Sequence, residues 1–321
     1  MLWQKLKTSD IVLDESKDSN AHCTIESRSI KTMSTTTAKS GQLTDAQRQQ
    51  FERDGYLSPL RVFEDSEVKH YLSCYLDYTA RKKDRLDALK PNQKYQVLSE
   101  THFVLPWVYE IATHPRILDV AESLLGPNLL AWNTNWFSKM PGEKSYVGWH
   151  QDGTYWNLNP PTVVTAWVAL APSISTNGCL RVIPGTHTQP MIPQRETYIP
   201  ENALSRGQEI AVEVKQEDAV DLNLQPGEMS LHHIWIVHGS NANTSRDTPR
   251  IGIAIRYTKP EVKQESPTKP LAMLVRGRDD YGNFEVLPAP KSVTDAEQTL
   301  AHKEIVDRIR AGIMTTAQGK P

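Results

Sequence analysis

The sequence predicts a mainly β fold flanked by helices, and three observations carry that prediction. Apolar residues recur at helical spacing as far as residue 127, then switch near Leu129 to a period of about two that lasts to Thr258. Turn-forming pairs, Pro141-Gly142, Asn177-Gly178, Pro184-Gly185 and Pro226-Gly227, cut the second region into short stretches. No helical crossover lies between those stretches, as a parallel doubly wound sheet would require, so an antiparallel sandwich or barrel is expected.

Composition bounds the rest. A chain of 321 residues has room for one large or two modest domains, each with its own core. Lysine and arginine number 36 against 38 acidic residues, a net charge of −2 that points to neither nucleic acid nor an anionic membrane as partner. The mean hydropathy of −0.51 fits a soluble chain. No apolar run approaches the roughly 20 residues of a membrane span. Three cysteines, Cys23, Cys74 and Cys179, with no C-x-x-C pair, suit a reducing compartment better than a disulfide framework. The acidic N-terminus lacks a basic-then-apolar leader, which makes a cytoplasmic setting the expectation.

Residues 1–41 are rich in Ser, Thr and Lys and are expected to form a flexible tail, with Met33 offering an alternative start. A single domain is expected over 42–321: a helical part (43–127), a β core (129–258) and a C-terminal extension bearing a helix (259–321). Thr44 with Gln47 makes a capping box for a helix that Gly55 stops. Val68, Tyr71, Leu72, Tyr75 and Leu76 form one apolar face, and Ile117, Val120, Ala121, Leu124 and Leu125 another, opened by Pro115. Strands are expected at 129–138, 162–170, 179–183, 210–214, 220–224, 229–238 and 251–258. The proline-bearing stretch 185–208 reads as a long loop able to cover a site. Thr294 and Glu297 cap a last helix whose apolar face runs through Leu300, Ile305, Val306 and Ile309.

The chemistry concentrates in W-H-Q-D-G at 149–153. His150 and Asp152 are two apart, so on a strand both side chains leave one face. His238, at the end of M-S-L-H-H-I-W-I-V-H-G-S, could bring a second imidazole from a neighbouring strand. Two histidines and one carboxylate with open positions favour non-haem ferrous iron and oxygen activation. Arg250 begins the next strand, where Arg250, Gly252, Ala254 and Arg256 share one face and Ile251, Ile253, Ile255 and Tyr257 the other. A guanidinium turned inward among small neighbours suits a carboxylate ligand. Of His232 and His233, alternation lets only one share the face of His238, and both read as supporting residues.

Taken in order, W-H-Q-D-G, T-A-W-V-A-L (165–170), N-G-C-L-R-V-I-P-G-T-H (177–187), P-G-E-M-S-L-H-H (226–233) and H-G-S-N-A-N-T-S…R-I-G (238–252) resemble the phytanoyl-CoA dioxygenase family of iron- and 2-oxoglutarate-dependent oxygenases. The resemblance implies a double-stranded β-helix, a cupin-like jelly roll, with Fe(II) held by His150, Asp152 and His238. It implies that Arg250 binds the distal carboxylate of 2-oxoglutarate with Ser240 beside it, Thr165 being a further candidate and Arg256 the runner-up to Arg250. Dioxygen is the other co-substrate, and succinate and carbon dioxide the co-products. Related halogenases replace the carboxylate ligand with a small residue, so Asp152 favours hydroxylation or a related oxidation.

A small-molecule substrate is expected, with Tyr155 and Trp156, directly after the H-x-D tripeptide, as pocket candidates on which a cationic or ring-bearing molecule could stack. Most other tryptophans of the β region read as core. Two other readings stay open from the sequence: a cupin-like isomerase or hydrolase using the same site without 2-oxoglutarate, and a non-catalytic β-sandwich module.

Overall fold

A computed structural model of the chain describes residues 41–189 and 191–317, the side chains of Tyr155 and of residues 312–317 excepted. All but the last residue of the expected tail lies outside the described residues. The first helix, Asp45–Asp54, opens with the predicted box: Gln47 N donates to Thr44 Oγ1 at 3.2 Å and Thr44 N to Gln47 Oε1 at 2.9 Å. Gly55 ends it with φ 79°, a left-handed value that glycine adopts freely. Asp65–Arg81 and Pro115–Leu125 bury the predicted faces, with Val68, Tyr71, Tyr75, Ile117, Val120, Ala121 and Leu125 in the core. Pro106–Ala112, absent from the sequence reading, is also helical. It makes under two turns, too few to display a period.

The strands form two sheets. The larger runs Tyr56–Arg61, Glu228–His233, Val163–Ala169, Arg250–Thr258, Leu129–Lys139, Leu271–Arg276 and Glu285–Val286. The smaller runs Val147–His150, Val237–Ser240, Leu180–Ile183 and Val220–Leu222. Every pairing is antiparallel except that of the last two strands of the larger sheet. This is the jelly roll that the motifs implied, with sheets that do not close into a barrel.

Alternate residues divide the larger sheet into two faces. Ile251, Ile253, Ile255 and Tyr257, with Val164, Val168, Met229 and Leu231, pack with Tyr75, Ile111 and Ile117 of the helices in one core. The opposite face looks toward the smaller sheet.

Several boundaries depart from expectation. The stretch 229–238 is two strands, one in each sheet, joined by a turn in which Ile236 N donates to His233 O at 3.0 Å. An unbroken apolar run hides such a crossing because the turn residues are themselves buried. The strand expected at 210–214 is Gln208–Ile210, paired with Gln194–Glu196 inside the proline-rich loop. Tyr56–Arg61 carries Pro59 and lies at the sheet edge, where a missing N–H costs no ladder bond. Leu271–Arg276, read as extension, joins the larger sheet.

The last helix, Asp295–Ala317, opens with the predicted box, but Leu300 is 61% exposed while Val306 is buried, so its core face is narrower than the sequence suggested. Cys179 is free and buried. No helix among the described residues is long and apolar enough to cross a membrane.

Candidate metal centre

His150 and His238 sit directly opposite each other on adjacent strands of the smaller sheet, with ring centroids 4.1 Å apart. Asp152 arrives differently from the sequence expectation: the strand ends at His150, and Asp152 opens a short 3-10 turn, Asp152–Tyr155. Close packing forces that turn. A Cβ on Gly153 would lie 2.7 Å from the Trp235 ring, and Gly153 N donates to Ile234 O at 3.1 Å. Gln151, fully buried, donates to Trp235 O at 2.6 Å and to Gln189 O at 2.9 Å, and accepts from Ile192 N at 2.9 Å. It fastens the turn both to the second histidine's segment and to the proline-rich loop. Sequence reasoning passed over Gln151 because an amide between two candidate ligands looks like a spacer.

The three side chains are buried, and one potential ligand atom from each lies within 4.8 Å of the others. Asp152 Oδ1 is 3.3 Å from His150 Nε2 and 3.9 Å from His238 Nε2. Each ring is oriented by its own strand: His150 Nδ1 meets Gly148 O at 2.9 Å and His238 Nδ1 meets Ile236 O at 3.0 Å. A carbonyl only accepts, so both Nδ1 atoms carry the proton and both Nε2 lone pairs face the carboxylate. Asp152 Oδ2 is buried without a hydrogen bond. Two aimed imidazole lone pairs and an under-satisfied carboxylate fit a divalent metal of the ferrous type.

Burial pushes the Asp152 carboxyl up, but Arg256 leads the neighbours that outweigh it and hold the group well below the usual carboxylate range. Burial, then His150, brings His238 down to about 4, so that ring is neutral and able to ligate at neutral pH. His232, also buried, has its ring centroid 4.7 Å from that of His238, tilted by 44°, and burial holds it neutral as well. His233 lies apart, its ring 5.3 Å from His187 and 6.2 Å from Phe51.

The facing sheet supplies the cations. Arg250, Ala254 and Arg256 point toward the histidines as alternation predicted, and with Ser240, His150 and His238 line a cavity of about 30 Å³. Arg250 is buried over the Trp167 ring, donates Nη1 to Gly178 O and leaves Nε without a partner. Burial lowers it to about 10, still charged at neutral pH. Lys139, opposite Arg250 in register and also buried, was missed by sequence reasoning; it donates Nζ to Ser240 Oγ at 2.6 Å. Thr165 lies opposite Arg256 and His232, not beside Arg250, with a buried, unpartnered Oγ1. Arg256 is 3.5 Å from Asp152 Oδ2 and donates Nη1 to Asn133 Oδ1 at 2.7 Å and Asn135 Oδ1 at 2.8 Å.

On the other side of His150 and Asp152 a larger cavity of about 450 Å³ opens. Arg256, Glu100 and Trp156 form part of its wall, the proline-rich loop contributes Tyr198 and Arg206, and the last helix contributes Val306. The loop does border the site, as expected of a cover. Trp156 is in the wall, but Arg256 lies over its ring at 5.2 Å and Trp132 meets its edge at 5.0 Å, so the chain itself takes up stacking surface that the sequence reading offered to a substrate. The Tyr155 side chain is outside the described residues. Trp132, Trp136, Trp167 and Trp235 are buried.

A jelly roll that gathers two imidazoles and a carboxylate, faced by a buried arginine, defines the class of non-haem iron, 2-oxoglutarate-dependent oxygenases. The profile of the phytanoyl-CoA dioxygenase (PhyH) family matches residues 51–252, more than half of the chain, and the chain belongs to that family. Bovine peroxisomal phytanoyl-CoA dioxygenase is 29% identical over 224 residues, 62% of this chain and 64% of the relative, so the chain spans just under two thirds of that protein's length. Ectoine dioxygenase of Sphingopyxis alaskensis is 25% identical over 236 residues, 68% of this chain and 76% of the relative. Among solved structures, the non-haem monooxygenase ThoJ in its apo form has a TM-score of 0.72 and 32% identity, covering 85% of this chain and 99% of ThoJ. CytC3 with Fe(II) and α-ketoglutarate has a TM-score of 0.58 and 25% identity, covering 77% of this chain and 93% of CytC3.

Proposed function

We propose that this protein oxidises a C–H bond of a small-molecule metabolite, most simply by hydroxylation, with Fe(II) as metal and 2-oxoglutarate and dioxygen as co-substrates. One observation carries the reading: the three candidate ligand atoms converge between two cavities, one small and ending at Arg250, the other large and open to a substrate. His150, Asp152 and His238 would hold the ion. Bound there, iron with 2-oxoglutarate supplies oxygen activation coupled to release of succinate and carbon dioxide.

The chain's own residues do the rest by placement. Arg250 presents a buried guanidinium to the distal carboxylate of 2-oxoglutarate, and burial strengthens that pairing by excluding water. Ser240, held by Lys139, offers its hydroxyl in the same cavity. Arg256 holds Asp152 ionised, so the third ligand needs no base to remove a proton. Gln194 donates Nε2 to Gln151 O at 3.0 Å and to Thr154 Oγ1 at 2.6 Å, latching the covering loop to the metal-binding turn and helping to keep water from the reaction.

The test is spectroscopic. Full-length protein with Fe(II) and 2-oxoglutarate under anaerobic conditions should show a weak visible charge-transfer band, and admitting oxygen should release succinate. A folded protein that gives neither rules out the reading and returns the site to metal-assisted isomerisation or hydrolysis.

A further inference from the structure

Glu100 stands out in the wall of the large cavity. It is only 3% exposed, yet it has a left-handed backbone, φ 56°, which non-glycine residues rarely adopt and which persists where the surroundings over-determine it. The surroundings are specific. Glu100 N donates to Thr134 O at 2.7 Å, and from the last helix His302 Nε2 donates to the neighbouring Ser99 O at 2.6 Å. The carboxylate accepts from the Asn133 side chain, which also binds Arg256, and from Thr134 N at 3.4 Å.

What the carboxyl lacks, among the described residues, is a cation in direct contact. The group recorded in ion-pair range is His102 at 4.0 Å, whose buried ring is held neutral, down to about 3. Burial correspondingly pushes Glu100 up to about 8. Arg256, bound to the same Asn133, draws Glu100 down from a distance without outweighing burial, and itself lies against Asp152 at 3.5 Å; Arg206 pairs with Glu196 at 2.9 Å, and Arg310 is exposed on the last helix. A buried acid that faces an open cavity with amide donors and no cation in contact is stabilised most by a cation arriving from that cavity.

Building on the oxygenase reading, we infer that Glu100 is the specificity-determining residue of the large cavity and that the substrate presents to it a protonated nitrogen, as an amine, amidine or guanidine. Val306, in the cavity wall, and His302, behind Ser99, come from a helix outside residues 51–252, so this wall is built partly from chain that the family profile does not reach.

The experiment uses the full chain and paired probes that differ in charge at one group: L-arginine with L-citrulline, benzamidine with benzamide, and L-lysine with Nε-acetyl-L-lysine. Saturation-transfer NMR reads binding without iron or turnover. The charged member of at least one pair should bind the wild type in preference to its neutral partner. Glu100→Gln should weaken the charged member roughly tenfold or more and narrow the preference, while Glu100→Asp, which keeps the charge, should retain it. Near-UV circular dichroism checks the fold of each variant. Failure of every charged member to bind, equal binding of neutral partners, or an unchanged preference in Glu100→Gln overturns the inference. Succinate release is measured separately: its absence, with Glu100-dependent binding intact, would reject the oxygenase reading and leave this one standing.

Discussion

The two faces of the strand Arg250–Thr258 do different work with alternate residues of one sequence. Ile251, Ile253, Ile255 and Tyr257 join the helices in an apolar core, whereas Arg250, Ala254 and Arg256 face the histidines across the small cavity. All nine residues of the strand are buried, so burial alone does not distinguish the face that stabilises the protein from the face that equips it. The difference lies in what burial costs. A buried methyl group gains from leaving water, while a buried guanidinium loses hydration and must recover it from Gly178 O, Asn133, Asn135 and Asp152. Stability should therefore be sensitive on one face and chemistry on the other.

The sharpest way to test that division is Asp152→Ala, which should abolish substrate-coupled succinate formation and the anaerobic charge-transfer band while the far-UV circular dichroism stays native. Retained turnover would break the assignment of the third ligand. Ile253→Ala, on the helix side, should instead cost roughly 2–5 kcal/mol in denaturant unfolding, the range for truncating a fully buried isoleucine, with the 2-oxoglutarate dependence of surviving enzyme unchanged. Arg250→Ala should raise the 2-oxoglutarate concentration needed for half-maximal succinate release by roughly tenfold to a hundredfold, the loss of one charge-assisted contact, and Arg250→Lys should recover part of it.

The smallest effect concerns pH. Glu100 stands at about 8 when folded against an ordinary 4.5, so its contribution to stability is complete below 4.5 and is lost as pH rises toward 8. His233, at about 4, and His102, at about 3, have the opposite sign: their contribution is complete above 6.5 and is lost as pH falls through those values. Melting temperature followed from pH 4 to 9 should decline at both ends, and Glu100→Gln should flatten the alkaline decline alone. An unchanged alkaline limb would show that Glu100 is ionised in the folded protein.

Much of the fold was legible because its cues are local. Thr44 with Gln47 and Thr294 with Glu297 are caps whose partners stand three residues apart, and the strand at 250–258 alternates without interruption. His150, Asp152 and His238, which the motifs nominated, are brought within ligand distance. What escaped the sequence depends on distant partners. The wall position of Glu100 is settled by Thr134 and, through Ser99, by His302; Lys139 faces inward only because its strand pairs with Arg250. The crossing between sheets at Ile234–Ile236 is as apolar as the strands it joins, and Leu300 occupies a helical position that the described residues leave 61% exposed.

The carbonyls of Gly148 and Ile236 have one further consequence. Because they fix which nitrogen of each ring bears its hydrogen, uptake of an ion would require no tautomer exchange and no ring flip. The site is thus rigid before it is loaded, and the entropy of arranging its histidines has already been met during folding. Ions of different preferred geometry would then have to accommodate themselves to the protein.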